Sequence, residues 1–80
     1  MAATQYTSEA SLGYANPDDK PPFLFSSNSY YAWCIGRWLR RTHRSAPRDV
    51  RASRGYTFHV NDMKVQLNDI QGCTEVERIA

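Results

Sequence analysis

Eighty residues, 41% of them hydrophobic and 12% aromatic, describe one small globular domain near the lower size limit for independent folding, and composition excludes a wholly disordered chain. No apolar run approaches the roughly 18 residues that a membrane span needs. The start Met1-Ala2-Ala3-Thr4-Gln5 has neither the charged beginning nor the apolar stretch of a secretory signal, so a cytoplasmic protein is expected. The formal net charge of +2 hides a polarised chain. Seven of the eight arginines fall between residues 37 and 54 against one acid, Asp49, so that segment carries +6 and the other 62 residues carry −4.

Residues 1–22 read as an irregular N-terminal arm, followed by a single compact domain over 23–80. Asn16-Pro17-Asp18-Asp19 is a turn signal and Pro21-Pro22 forbids a helix at that point. A short helix around Ser8 to Gly13 is the alternative within the arm. Phe23-Leu24-Phe25 then reads as an extended anchor that places aromatic rings in the core. Ser26-Ser27-Asn28-Ser29 supplies N-caps for the next element.

From residue 29 to about 44 the periodicity is helical. Tyr31, Cys34, Ile35, Trp38, Leu39 and Thr42 share one face, while Arg37, Arg40, Arg41 and Arg44 gather opposite. Trp33 falls among the arginines, either covered by the N-terminal arm or exposed as a contact residue. Pro47 is expected to end this helix. A second short turn over residues 45–51 would place Arg48, Arg51 and Arg54 at spacing three and extend the basic stripe.

The segment from Tyr56 to Leu67 has the form of a two-residue β-hairpin with Asn61-Asp62 at its tip. Val60 then faces Met63, Phe58 faces Val65 and Tyr56 faces Leu67 on one side, while His59 pairs Lys64 and Thr57 pairs Gln66 on the other. A slip of one residue would turn every apolar side chain outward. Residues 73–79 alternate loosely and read as a third antiparallel strand. The expected fold class is α+β: one amphipathic helix packed on a two- to three-stranded antiparallel sheet built around the hairpin.

Catalytic chemistry has no foothold in this pattern. Cys34 and Cys73 are expected to be reduced thiols, Cys34 in the core. His43 and His59 stand apart, and no Ser-His-Asp set, Cys-His pair, carboxylate pair, glycine-rich phosphate loop or metal-ligand spacing occurs. No enzyme, cofactor or metal site is expected. The arginine cluster is the main signal, because guanidinium groups make bidentate contacts to phosphate and carboxylate and stack on flat rings. The candidate partner-binding set is Trp33, Arg37, Arg40, Arg41, Arg44, Arg48, Arg51 and Arg54, with Trp33 as the aromatic anchor.

Asn16-Pro17, Pro22-Phe23 and the run Tyr31-Ala32-Trp33-Cys34-Ile35-Gly36-Arg37 resemble a module of ribosome modulation factor and related phage-borne proteins. There a proline–aromatic step precedes a short helix carrying a tryptophan and a glycine. The resemblance spans 22 residues, and the hairpin has no counterpart in that all-helical pattern. In size, compactness and arginine content the whole chain resembles the small inhibitor proteins of bacteriophages and mobile elements, of which the anti-CRISPR proteins are one group. That resemblance of type implies a non-enzymatic, monomeric inhibitor in the bacterial cytoplasm that binds a host CRISPR effector (Cas) complex and blocks its target DNA. The alternative is a small basic nucleic-acid-binding module that meets the phosphate backbone of RNA, including ribosomal RNA, or of DNA in phage regulation.

Overall fold

A computed structural model describes residues 4–25 and 27–67 of the chain. The order of elements is α1 (Thr7–Ala15), α2 (Asn28–Arg41), β1 (Val50–Ala52), β2 (Thr57–Val60) and β3 (Met63–Gln66). The strands form an antiparallel sheet in the order β1-β2-β3, and the helices pack over it, an α+β fold. One core cluster joins Ile35 and Leu39 of α2 to Val50, Phe58, Val60 and Val65 of the sheet.

The hairpin takes the register expected of it. Val60 pairs Met63, His59 pairs Lys64, Phe58 pairs Val65 and Thr57 pairs Gln66. The row beyond the strands is also present, because the Leu67 amide donates to the Tyr56 carbonyl at 3.0 Å. Tyr56 nevertheless stays 65% exposed, with its ring edge-to-face against Tyr31.

The partner of β2 on its other side is β1, not a turn of helix. Val50 pairs Val60, Arg51 pairs His59 and Ala52 pairs Phe58. Hence the expected helical stripe of Arg48, Arg51 and Arg54 does not form. Val50 is fully buried, and a strand alternates its side chains, so its neighbour Arg51 is turned to the opposite face. The strand expected over residues 73–79 lies outside the described residues, as does Cys73.

Helix α2 begins where a serine caps it: the Ser27 hydroxyl accepts from the Tyr30 amide at 3.1 Å. Its end comes at Arg41, well before Pro47. The Arg44 amide donates to the Leu39 carbonyl and the His43 amide to that of Arg40, with His43 at φ 59°. This is the Schellman arrangement, which satisfies carbonyls the helix would leave open. The Thr42 hydroxyl adds a 2.7 Å bond to the Trp38 carbonyl. A left-handed position is one where an L side chain costs about 1 kcal/mol. His43→Gly is therefore expected to raise stability by about 0.5–1 kcal/mol, offset in part by the freer unfolded chain, and urea denaturation measures it.

The largest departure lies at the N-terminus. The arm expected to be irregular contains α1, on the segment named as its helical alternative. The inward side of α1 is made of Ala10 and Gly13, both buried. Close approach depends on their size. A Cβ on Gly36 would overlap the Ala10 carbonyl, and one on Gly13 would overlap the Trp33 carbonyl. Side-chain contacts run from Tyr6 to Asn28 and Glu9 to Ser29 near the helix starts, and from Arg40 to Tyr14 near the ends. The chain between the helices behaves less as an anchor than expected: Phe23 packs on the core, but Leu24 is 83% and Phe25 51% exposed.

Two tethers fix the remaining loops. Before α1, Tyr6 donates to the Val50 carbonyl and the Thr7 hydroxyl accepts from the Val50 amide, so the N-terminal segment lies along the outer edge of β1. At the hairpin tip, Asn61 (φ 54°) accepts from the amides of Arg48 and Asp49 and donates to the Ala46 carbonyl. Each net bond contributes about 1 kcal/mol. Asn61→Ala is expected to cost about 2–3 kcal/mol, combining lost bonds with left-handed strain. Asn61→Gly relieves the strain alone, so its loss should be smaller by about 1 kcal/mol in the same urea titration.

Candidate functional site

The arginines do not form one stripe. Arg40 and Arg41 project from the last turn of α2, Arg44 follows in the loop, and Arg48 stands further along it. Arg51 is on the other side of the sheet, in a cross-strand row with His59 and Lys64. Arg54 lies in the exposed turn between β1 and β2. The structure thus gathers Arg40, Arg41, Arg44 and Arg48 around the end of α2, leaves Arg37 half-buried over the Trp33 ring, and separates Arg51 and Arg54 from them.

Trp33 is not a surface residue. It is 1% exposed, because α1 covers the side of α2 on which the arginines begin. Of the two outcomes read from the sequence, coverage by the N-terminal segment is the one that holds. The expected aromatic anchor of a partner site is therefore a core residue, unavailable to any partner in the folded state.

Rings have another use here. The guanidinium carbon of Arg37 lies 5.1 Å from the Trp33 ring centroid, that of Arg40 5.5 Å from Tyr14 and that of Arg44 5.0 Å from Trp38. Such cation–π contacts are worth about 0.5–1 kcal/mol at exposed sites and orient the planar group. Arg40 also donates to the Tyr14 carbonyl at 2.9 Å and Arg41 to that of Pro17 at 3.3 Å. The negative end of α1 thus meets Arg40, and the turn that follows it meets Arg41. Tyr14 returns the contact through its hydroxyl, which donates to the Arg44 carbonyl. Part of the cluster accordingly serves the helix pair itself.

Acids neutralise only some of the rest. Asp18 lies 3.6 Å from Arg41, Asp62 3.6 Å from Arg48 and Asp49 3.0 Å from Arg51. The first two pairs are solvent-exposed and contribute little. Among the described residues, the pairs at the end of α2 are those of Arg41 and Arg48. Beside them opens a cleft of about 350 Å³ between the loop after α2 and the hairpin tip, with Leu39 and Met63 on its apolar side and Arg44, Arg48, His43 and Ser45 among its polar lining.

Compared with family models, curated proteins and solved structures, the chain finds no match. Its chemistry must be read from its own residues. Among the described residues no cluster of histidine, cysteine or carboxylates is set to hold a metal, and no helix is long and apolar enough to cross a membrane. Sequence reasoning missed His43, Asn61 and Met63 as site residues. Asn61 had a local signal, an asparagine at the first position of a tight turn, but its bonds to residues 46–49 depend on a loop distant in sequence.

Proposed function

We propose that this chain is a non-enzymatic binding module whose surface at the end of α2 takes a nucleic-acid backbone, RNA first among the candidates. The observation that carries this reading is the exposure of Arg40, Arg41, Arg44 and Arg48, the last two lining a cleft, while Trp33 is withdrawn into the core. A protein-docking surface is usually centred on a desolvated aromatic or aliphatic anchor. Here the arginine cluster stands without one, which favours a partner recognised by its phosphates. Arginine suits that task because its flat fork binds phosphate in bidentate fashion, and the Tyr14 and Trp38 rings hold two of the forks in place. The resemblance of residues 16–37 to ribosome modulation factor points to the same partner class.

Fluorescence anisotropy of the full chain against single- and double-stranded RNA and DNA, across a salt series, tests this. Binding should fall with salt with a log–log slope of about −3 to −4 for four phosphate contacts. Arg41→Gln and Arg48→Gln should each reduce the slope by about one unit. Salt-insensitive binding, or none at low salt, rules the reading out.

A second reading keeps the inhibitor of the anti-CRISPR kind, directed at a guide-RNA effector complex. It is favoured by the exposed Leu24, Phe25 and Tyr56, which a phosphate-binding surface does not require. Phe25, Tyr30, Tyr31 and Tyr56 form a chain of ring contacts at 5.1–5.6 Å on the side of α2 near its start. In that reading the aromatic patch meets protein and the arginines meet the guide RNA. Leu24→Ser with Phe25→Ser should then abolish capture of the effector complex while leaving binding to naked RNA intact. Unimpaired target-DNA binding by purified effector complexes with the protein in excess would eliminate it.

A further inference from the structure

The cleft at the end of α2 has a composition that a plain phosphate-binding surface lacks. Its apolar side is the Met63 thioether, backed by the buried Leu39 and flanked by two guanidiniums. We infer that it is a nucleotide subsite, taking one unstacked base together with its phosphate from a single-stranded stretch of RNA; this deepens, and rests on, the nucleic-acid reading above.

The size fits one nucleotide, at the lower end of the volumes in which small ligands bind. Its two kinds of lining match the two halves of that ligand. A flat base gains from leaving water against an apolar wall, and a thioether makes a favourable contact with an aromatic ring. A phosphate needs cations from more than one direction. Arg44 supplies one from a fixed position, its guanidinium over the Trp38 ring and 3.9 Å from Met63 Sδ. Arg48 supplies the other. Among the described residues its guanidinium pairs with Asp62 at 3.6 Å, between side chains 61% and 96% exposed, so turning toward a ligand costs little.

The walls themselves are built, not loose. Asn61 bonds the 46–49 segment to the hairpin tip, and the left-handed His43 with the Arg44–Leu39 amide bond closes the side next to α2. Asn61 spends its side-chain oxygen and nitrogen on that scaffold. Asp62, His43 and Ser45 are left to face the edge of a base. A strand crossing Arg40 and Arg41 reaches the cleft directly, since Arg44 lies in the next turn of chain. By contrast Arg51, His59 and Lys64 stand in a cross-strand row of the sheet and line no part of this cleft.

Amide and methionine-methyl NMR on the full chain, titrated separately with uridine 5′-monophosphate, ribose 5-phosphate and inorganic phosphate, tests the subsite. The nucleotide should give saturable shifts at His43, Arg44, Ser45, Arg48 and the Met63 methyl, and bind about fivefold or more tighter than ribose 5-phosphate, the worth of one base contact. Arg48→Gln, an exposed position where folding is not at stake, should weaken the nucleotide about tenfold. Equal affinity for nucleotide and ribose 5-phosphate, or shifts spread over all the arginines, overturns the subsite. A single-stranded RNA oligonucleotide measured on the same sample separates the two claims. If it binds while the nucleotide does not, the cleft is no subsite and the arginine surface stands; if neither binds, both are wrong.

Discussion

Trp33→Ala is expected to unfold most of the protein near physiological temperature while telling nothing about a binding surface. Truncating a fully buried tryptophan costs about 3–5 kcal/mol. The whole stability of an 80-residue domain is about 4–12 kcal/mol. The substitution empties the space under α1 and removes the ring that backs Arg37, so the loss should sit toward the upper end. Trp33→Phe keeps most of the volume and should lose markedly less. A surface hot spot behaves the opposite way, leaving the urea midpoint unchanged and abolishing binding. Urea denaturation followed by circular dichroism, beside anisotropy on the folded fraction, separates the two. An unchanged midpoint for Trp33→Ala would refute the packing of α1 over α2.

Gly36→Ala should cost about 3 kcal/mol, the high end for overpacking, although it adds one methyl group to a helix that otherwise prefers alanine. The added carbon meets the Ala10 carbonyl. That atom belongs to the backbone, and no rotamer moves it aside. Ala10→Gly consequently cannot rescue the variant, since it leaves the carbonyl in place. Gly13→Ala meets the Trp33 carbonyl in the same interface and should cost a similar amount. The double variant should lose less than the two single losses added together, because helices already parted have no further contact to break. Gly55→Ala is the control. Its Cβ would meet nothing within 4 Å, so only the backbone at φ 63° is penalised, by about 1 kcal/mol. Equal effects at Gly36 and Gly55 would show that the two helices do not touch as described.

These two predictions bear on function through the same residues. The arginines at the end of α2 are held in place because α1 packs alongside, its Tyr14 carbonyl accepting from Arg40 and the Pro17 carbonyl of the following turn accepting from Arg41. An arginine removed there changes a surface charge and a helix end at once. Binding losses at Arg40 should therefore be read beside the melting curve, whereas the Arg48 side chain, paired with an exposed aspartate, reports mainly on binding.

What the chain states locally could be read from it. The hairpin register follows from a two-residue repeat around Asn61-Asp62, and α2 from a 3.6-residue repeat with a serine before it, since both patterns depend on neighbours within a few positions. The placement of Cys34 and Leu39 in the core follows from the same repeat. Tertiary contacts decided the rest. Helix α1 buries only Ala10 and Gly13, whose small side chains carry almost no periodic signal and matter because they let two backbones meet. Without that contact Trp33 reads as exposed, and with it the residue becomes core. Val50 could join a helical turn or a strand on local grounds, and only the unpaired edge of β2, seven residues further on at its nearest, made it a strand and turned Arg51 away from the other arginines. The residue types of the basic surface were written in the sequence, but which of them share a face was settled by pairings between segments far apart along the chain.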